Sequence, residues 1–225
     1  MRSSNIFLIG ASGVGKTPIS QGIAQTLNMR TVGASGWIKA QYTGPKQVLI
    51  NDVVYDGSSV KHTTEYGKAY VHEITTLSRT KLAENPDACI LYLRNAGVED
   101  GGCVIDGVRN PRDFMMTFRP EVDLVVFLEC AHRQAMTAFE EDGCAAILQN
   151  VKWMHANLTP PDRHYGLRVV YGFGEESVET LQEGEFDVIK ASSPDGRISA
   201  EVLRRVVEWC KQKRSWRPDL QRVQH

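Results

Sequence analysis

No apolar run in this 225-residue chain approaches the roughly 20 residues that a membrane-crossing helix requires. The opening MRSSNIFLIG reaches a glycine-rich stretch too soon to hold the apolar core of a secretory signal, so a cytoplasmic protein with no membrane partner is expected. Neither sign of charge prevails: 26 Lys and Arg stand against 27 Asp and Glu, which leaves no global field to draw the chain onto nucleic acid or an anionic surface. Any nucleic-acid contact would have to be local. Cys89, Cys103, Cys130, Cys144 and Cys210 form no CxxC pair and have no histidine at metal-ligand spacing, as expected of free, packed thiols in a reducing compartment. His132, His155 and His164 follow no metal spacing either, and no internal repeat is visible.

With 42% hydrophobic and 24% charged residues, the chain is neither disordered nor fibrous, and its length suits a single domain with room for an insertion. Short apolar runs alternate with amphipathic stretches. Ile6–Ile9 reads as a strand, followed by GASGVGKT and a helix whose Ile19, Ile23 and Leu27 fall four apart. Met29–Val32 is a second short run, and residues 34–63, with QVLIN and DVVY, look inserted. Tyr66, Tyr70, Ile74 and Leu77 have helical spacing, and Asn85 with Pro86 ends that helix and starts another. GGCVID, DLVVFLE and FDVIKAS read as further buried strands, the last followed by a helix bearing Ile198, Val202, Val206 and Cys210. Trp153 and Met154 read as core. This alternation predicts a parallel sheet covered on both faces. The segment KQKRSWRPDLQR at 211–222, with Trp216, reads as a solvated basic extension.

Residues Gly10, Ala11, Ser12, Gly13, Val14, Gly15, Lys16 and Thr17 fit G-x-x-x-x-G-K-[ST] without substitution, between an apolar strand and an amphipathic helix. The glycines let backbone wrap closely around phosphate oxygens. Successive N–H groups and the helix N-terminus supply positive potential, Lys16 adds a mobile charge, and Thr17 offers a hydroxyl to Mg²⁺. Nucleotide binding is the expectation. Pro18 departs from the usual pattern: it has no N–H to offer an α-phosphate, so weakened triphosphate affinity is expected, with the helix itself intact.

A second constellation lies at CVIDGVRNPR. Asp106 ends an apolar strand, and ligands of open parallel sheets bind outside the carboxyl ends of strands, so it should emerge on the same edge as the phosphate loop and could hold Mg²⁺ through water. Asn110 and Pro111 supply an N-cap and a first-turn proline, pinning Gly107–Arg109 between strand and helix. Arg109 could aim a bidentate guanidinium at a second phosphate. Standing alone, the same pair would also serve as a turn cap.

IDGVRNPRDF resembles the DGFPR segment of adenylate kinases and, more closely, the DGIR segment of phage deoxynucleoside monophosphate kinases and archaeal dephospho-CoA-kinase-like proteins. The order of parts is similar too: phosphate loop, acceptor-binding helices, DGxR strand, arginine-bearing lid, last strand and helix. The resemblance implies a three-layer α/β/α P-loop fold with a mostly parallel five-stranded sheet, an acceptor-binding insertion at 34–97 and a lid at about 131–172. It implies ATP and Mg²⁺ as cofactors, Asp106 in ordering Mg²⁺, and Arg109 on the acceptor's phosphate. Lid arginines would come from Arg133, Arg163 and Arg168; Arg163 is best placed, in the turn-rich TPPDRHYG, and a surface role for the other two stays open. The family's S-T-G-x-x-x-R segment has no clean counterpart, since Lys39 matches only with a one-residue shift after Gly36.

The function so implied is transfer of the γ-phosphoryl of ATP to the phosphate of a small acceptor, a (deoxy)nucleoside monophosphate first of all. Lys16, Asp106, Arg109 and Arg163 are the expected catalytic set. Dephospho-CoA or a polynucleotide 5′ end are alternative acceptors, and a nucleotide-dependent switch that transfers nothing is an alternative of another class.

Overall fold

The computed structural model describes residues 3–11, 13–43, 47–50, 53–56, 65–130, 137, 139–140, 143–158, 165–172, 186–192 and 198–214. The chain divides into two compact units, residues 1–33 with 97–225, and residues 34–96.

The larger unit is built on β1 (Ile6–Gly10), β2 (Arg30–Gly33), β5 (Cys103–Asp106), β6 (Leu124–Cys130), β7 (Gly166–Gly172) and β8 (Asp187–Ser192). They form one sheet in the order β2-β5-β1-β6-β7-β8, with every pairing parallel. All five residues of β1 are buried, which requires cover on both faces of the sheet. Helices α1 (Lys16–Leu27), α5 (Pro111–Thr117), α6 (Cys144–Leu158) and α7 (Ala200–Arg214) flank it. Phe7 meets Phe114 and Phe118 of the α5 segment edge-on, with ring centroids 5.4 and 5.5 Å away; Ile6 and Leu8 alternate to the opposite face. This is an α/β fold, a parallel sheet flanked by helices.

The sheet has six strands where five are expected. The sixth is β7, GLRVVYG, which lies in the stretch expected as a lid yet runs through the sheet interior between β6 and β8. Its Leu167, Val169, Val170 and Tyr171 are buried, and no lid exposed to solvent would accept that run. The lid expectation is corrected accordingly for 166–172.

At the amino ends of the strands, Asn5 and Asp123, both fully buried, tie three strands together. The Asn5 N–H donates to Asp123 Oδ1 (2.8 Å), its side-chain amide donates to the Val98 carbonyl (2.9 Å), and its Oδ1 accepts from the Cys103 N–H (3.1 Å). Arg119 closes the network through Nε and Nη2 on the Asp123 carboxylate, at 3.0 and 2.7 Å. Burial pushes the Asp123 carboxyl up, and the Arg119 guanidinium and backbone N–H groups pull it down.

The smaller unit contains α2 (Gly36–Lys39), the antiparallel pair β3 (Gln47–Ile50) and β4 (Val53–Asp56), α3 (Glu65–Glu84) and α4 (Ala88–Asn95). Helix α4 starts two residues after Pro86, with Asp87 as its N-cap and the Asp87 N–H bonded to the Asn85 side chain (3.1 Å). Tyr42 stacks edge-on against Tyr70 and hydrogen-bonds Glu73.

All five cysteines are free thiols; four are buried, and burial pushes Cys210 up to about 12. Trp153, expected in the core, stands 56% exposed on α6 while its neighbour Met154 is buried, because only one of two consecutive helical positions can face the sheet. Among the described residues no helix is long and apolar enough to cross a membrane.

Candidate functional site

The phosphate loop joins the carboxyl end of β1 to the start of α1. Gly13 and Gly15 have φ of 82° and 80°, the left-handed region where a side chain is costly, and this curls the backbone back on itself. Ser12 lies outside the described residues. Ala11 and Val14 are buried and anchor the loop from beneath. Among the described residues no side chain caps α1, and its first turn carries no acidic residue, so the positive end of the helix dipole is not offset there by an acidic side chain of that turn.

Lys16 is the first residue of α1. Its ammonium donates to the carbonyls of Gly10 (2.6 Å) and Ala11 (2.5 Å), which seats the charge at the carboxyl edge of the sheet. Thr17 is exposed on the same turn, as is Pro18. The first-turn N–H groups of a helix have no intrahelical acceptor, so proline at this position leaves the helix whole and removes only a donor for ligand.

Asp106 ends β5, in register with Leu8 of β1 on one side and Gly33 of β2 on the other. It is half-buried, and its Oδ1 lies 3.4 Å from where a Cβ on Gly33 would sit. The chain then turns at Gly107, buries Val108 and enters α5 through Asn110, whose side chain accepts from the Arg112 N–H (2.9 Å), with Pro111 next. Arg109 is half-buried in this pinned loop. Thus Lys16, Thr17, Asp106 and Arg109 all occupy the carboxyl edge of the same sheet.

Arg168, offered by the sequence as a lid residue, is instead part of β7. Its Nε and Nη2 donate to the two carboxylate oxygens of Glu129 on β6, at 2.7 and 2.6 Å. Arg133 and Arg163 lie outside the described residues.

One contact at the loop has no local sequence signal. Tyr171 of β7, fully buried, donates its hydroxyl to the carbonyl oxygen of Val14 (2.5 Å) across 157 residues of chain. Burial raises its phenol well above the ordinary tyrosine value, so it stays a donor at any working pH. An inward tyrosine on a buried strand reads as core, and only the tertiary structure brings it under the loop.

Oxygen donors suit Mg²⁺, which keeps several waters and takes one or two protein oxygens beside substrate phosphates. Among the described residues no group of three or more His, Cys, Asp or Glu could hold a metal ion; Thr17 and Asp106 each offer an oxygen at the carboxyl edge of the sheet.

No protein-family model and no curated protein sequence matches the chain. Among solved structures it is similar to a shikimate kinase from Acinetobacter baumannii, at 11% identity and a TM-score of 0.40, over 95% of this chain and 96% of that one. It is also similar to a sugar kinase from Janibacter sp. HTCC2649, at 16% identity and a TM-score of 0.35, over 93% and 95% of the two chains. Likenesses of this degree leave the functional reading to the site's own residues.

Proposed function

We propose that this protein is an ATP-dependent kinase that moves a phosphoryl group onto the phosphate of a small acceptor, a (deoxy)nucleoside monophosphate in the first instance. What carries the reading is the uncapped start of α1 behind two left-handed glycines, with Lys16 at its first position and Asp106 ending a strand paired with β1. A helix merely capped by a glycine turn has no use for a buried-edge lysine and a carboxylate together.

In this reading the loop N–H groups hold the β-phosphate of ATP, and Lys16 exchanges the Gly10 and Ala11 carbonyls for phosphate oxygens. Thr17 and Asp106 would hold Mg²⁺, which when bound offsets the charge of the phosphates. An acceptor phosphate oxygen is already anionic, so no strong general base is needed and positioning suffices. Arg109 presents its planar fork to the acceptor's phosphate, and Arg163 is the proposed lid cation over the transferring group.

A coupled assay of ADP release across a panel of nucleoside and deoxynucleoside monophosphates tests it. Release that depends on one or a few of them supports the kinase. Slow release indifferent to every acceptor would replace it with a nucleotide-dependent switch.

A further inference from the structure

We propose that Tyr171 is a positioning residue of the phosphate loop: by holding the Val14 carbonyl under the loop, it turns the Gly15 N–H toward a bound phosphate. The inference rests on the nucleotide-binding reading and extends it to a residue on another strand.

The geometry is that of a single peptide unit. The carbonyl of Val14 and the N–H of Gly15 belong to one planar trans peptide and point in opposite directions. Tyr171 fixes the first: its hydroxyl donates to the Val14 oxygen from the buried side, where Val14 itself is buried. The Gly15 N–H is thereby fixed outward, at the N-cap of a helix whose opening no side chain caps. Without that hold, a glycine at φ 80° is free to rotate, and a donor that must be aligned before the ligand arrives has to be aligned by it.

Tyr171 can reach because of strand register. It pairs with Cys130 of β6, while Leu128 of β6 pairs with Gly10 at the foot of the loop. Its ring therefore spans from the second strand away, across β6, to the underside of the loop. The sixth strand, missed in the sequence, is the platform for this contact.

The opposite, amino end of β7 supplies a control. Tyr165 is equally buried and donates its hydroxyl to the Val151 carbonyl of α6 (3.2 Å), outside the loop. Tyr171→Phe and Tyr165→Phe each delete one buried hydroxyl that donates to a backbone carbonyl, so they cost comparable stability. They differ in which carbonyl is released.

The test is calorimetric titration of ADP into wild type, both variants and Lys16→Ala, with thermal unfolding of the ligand-free proteins alongside. Tyr171→Phe is expected to weaken ADP about 10- to 150-fold, the range of one hydrogen bond to a charged group. Tyr165→Phe should bind within about twofold of wild type. Equal ADP affinity for wild type and Tyr171→Phe, or equal losses in the two tyrosine variants, would overturn the proposal. A Tyr171→Phe protein unfolded where Tyr165→Phe is folded would assign the hydroxyl to the fold and overturn it as well. If wild type and Lys16→Ala both fail to bind ADP, the nucleotide reading itself falls, an outcome distinct from the others.

Discussion

A Cβ on Gly143 would lie 2.4 Å from the carbonyl oxygen of Arg109, so the turn that leads into α6 is seated directly on the loop that carries the proposed acceptor arginine. Gly143 also has φ 75°, and both facts exclude any other residue there without movement. Gly143→Ala is expected to cost about 2–4 kcal/mol, a left-handed alanine at 1–2 kcal/mol plus a backbone clash, and to displace Arg109. In kinetics the acceptor KM should rise while ADP affinity holds. Unfolding curves and ADP titration of the variant check both halves.

Arg109→Lys keeps the charge and loses the fork. Acceptor KM should rise about tenfold and kcat should fall, while ATP affinity without acceptor stays within about twofold. An equal loss of ATP affinity would place Arg109 at the nucleotide, and a change in thermal stability alone would make the DGVR segment a structural turn.

Pro18 withholds one N–H from the first turn of α1. Restoring it with Pro18→Ala should tighten ADP by up to about 1.5–3 kcal/mol, while the entropy the unfolded chain regains lowers only the folding stability. Calorimetry decides between this and a proline whose fixed φ already suits the bound nucleotide, in which case affinity stays level or falls.

The Asn5, Asp123 and Arg119 network yields a pH-dependent prediction. Arg119→Met leaves a fully buried carboxylate without the Arg119 charge, so its folded pKa, already pushed up by burial, climbs further above the unfolded value. A carboxyl raised on folding favours the folded state at low pH and penalises it as pH rises past the unfolded pKa. The variant should therefore lose about 2–4 kcal/mol near neutrality and noticeably less near pH 4, read from urea unfolding at both. A loss independent of pH would mean that Asp123 does not change its ionisation.

The sequence displayed what is local. Strand, glycine loop, lysine and helix lie within about twenty residues, and Asp106 is placed by the end of its own apolar run, so both were legible from pattern. Asn110 and Pro111 announced α5 in the same way. What escaped was set by tertiary packing. GLRVVYG follows a turn-rich stretch and carries an arginine, which drew it into the lid expectation, whereas Arg168 is satisfied by Glu129 on the adjacent strand. Tyr171 and Asn5 act through partners 157 and 118 or fewer residues away, and no periodicity encodes such a pairing. Trp153 was misplaced because hydrophobicity alone does not say which of two neighbouring helical positions faces inward.

The most direct test of the central claim is to follow the phosphoryl group itself. ATP labelled in the γ-phosphoryl is incubated with the protein, Mg²⁺ and the monophosphate panel, and the products are separated. The account predicts label in a nucleoside diphosphate formed from the added acceptor, reduced by orders of magnitude in Lys16→Ala although that protein is folded. Label appearing only as inorganic phosphate, or transfer by Lys16→Ala at near the wild-type rate, would contradict it.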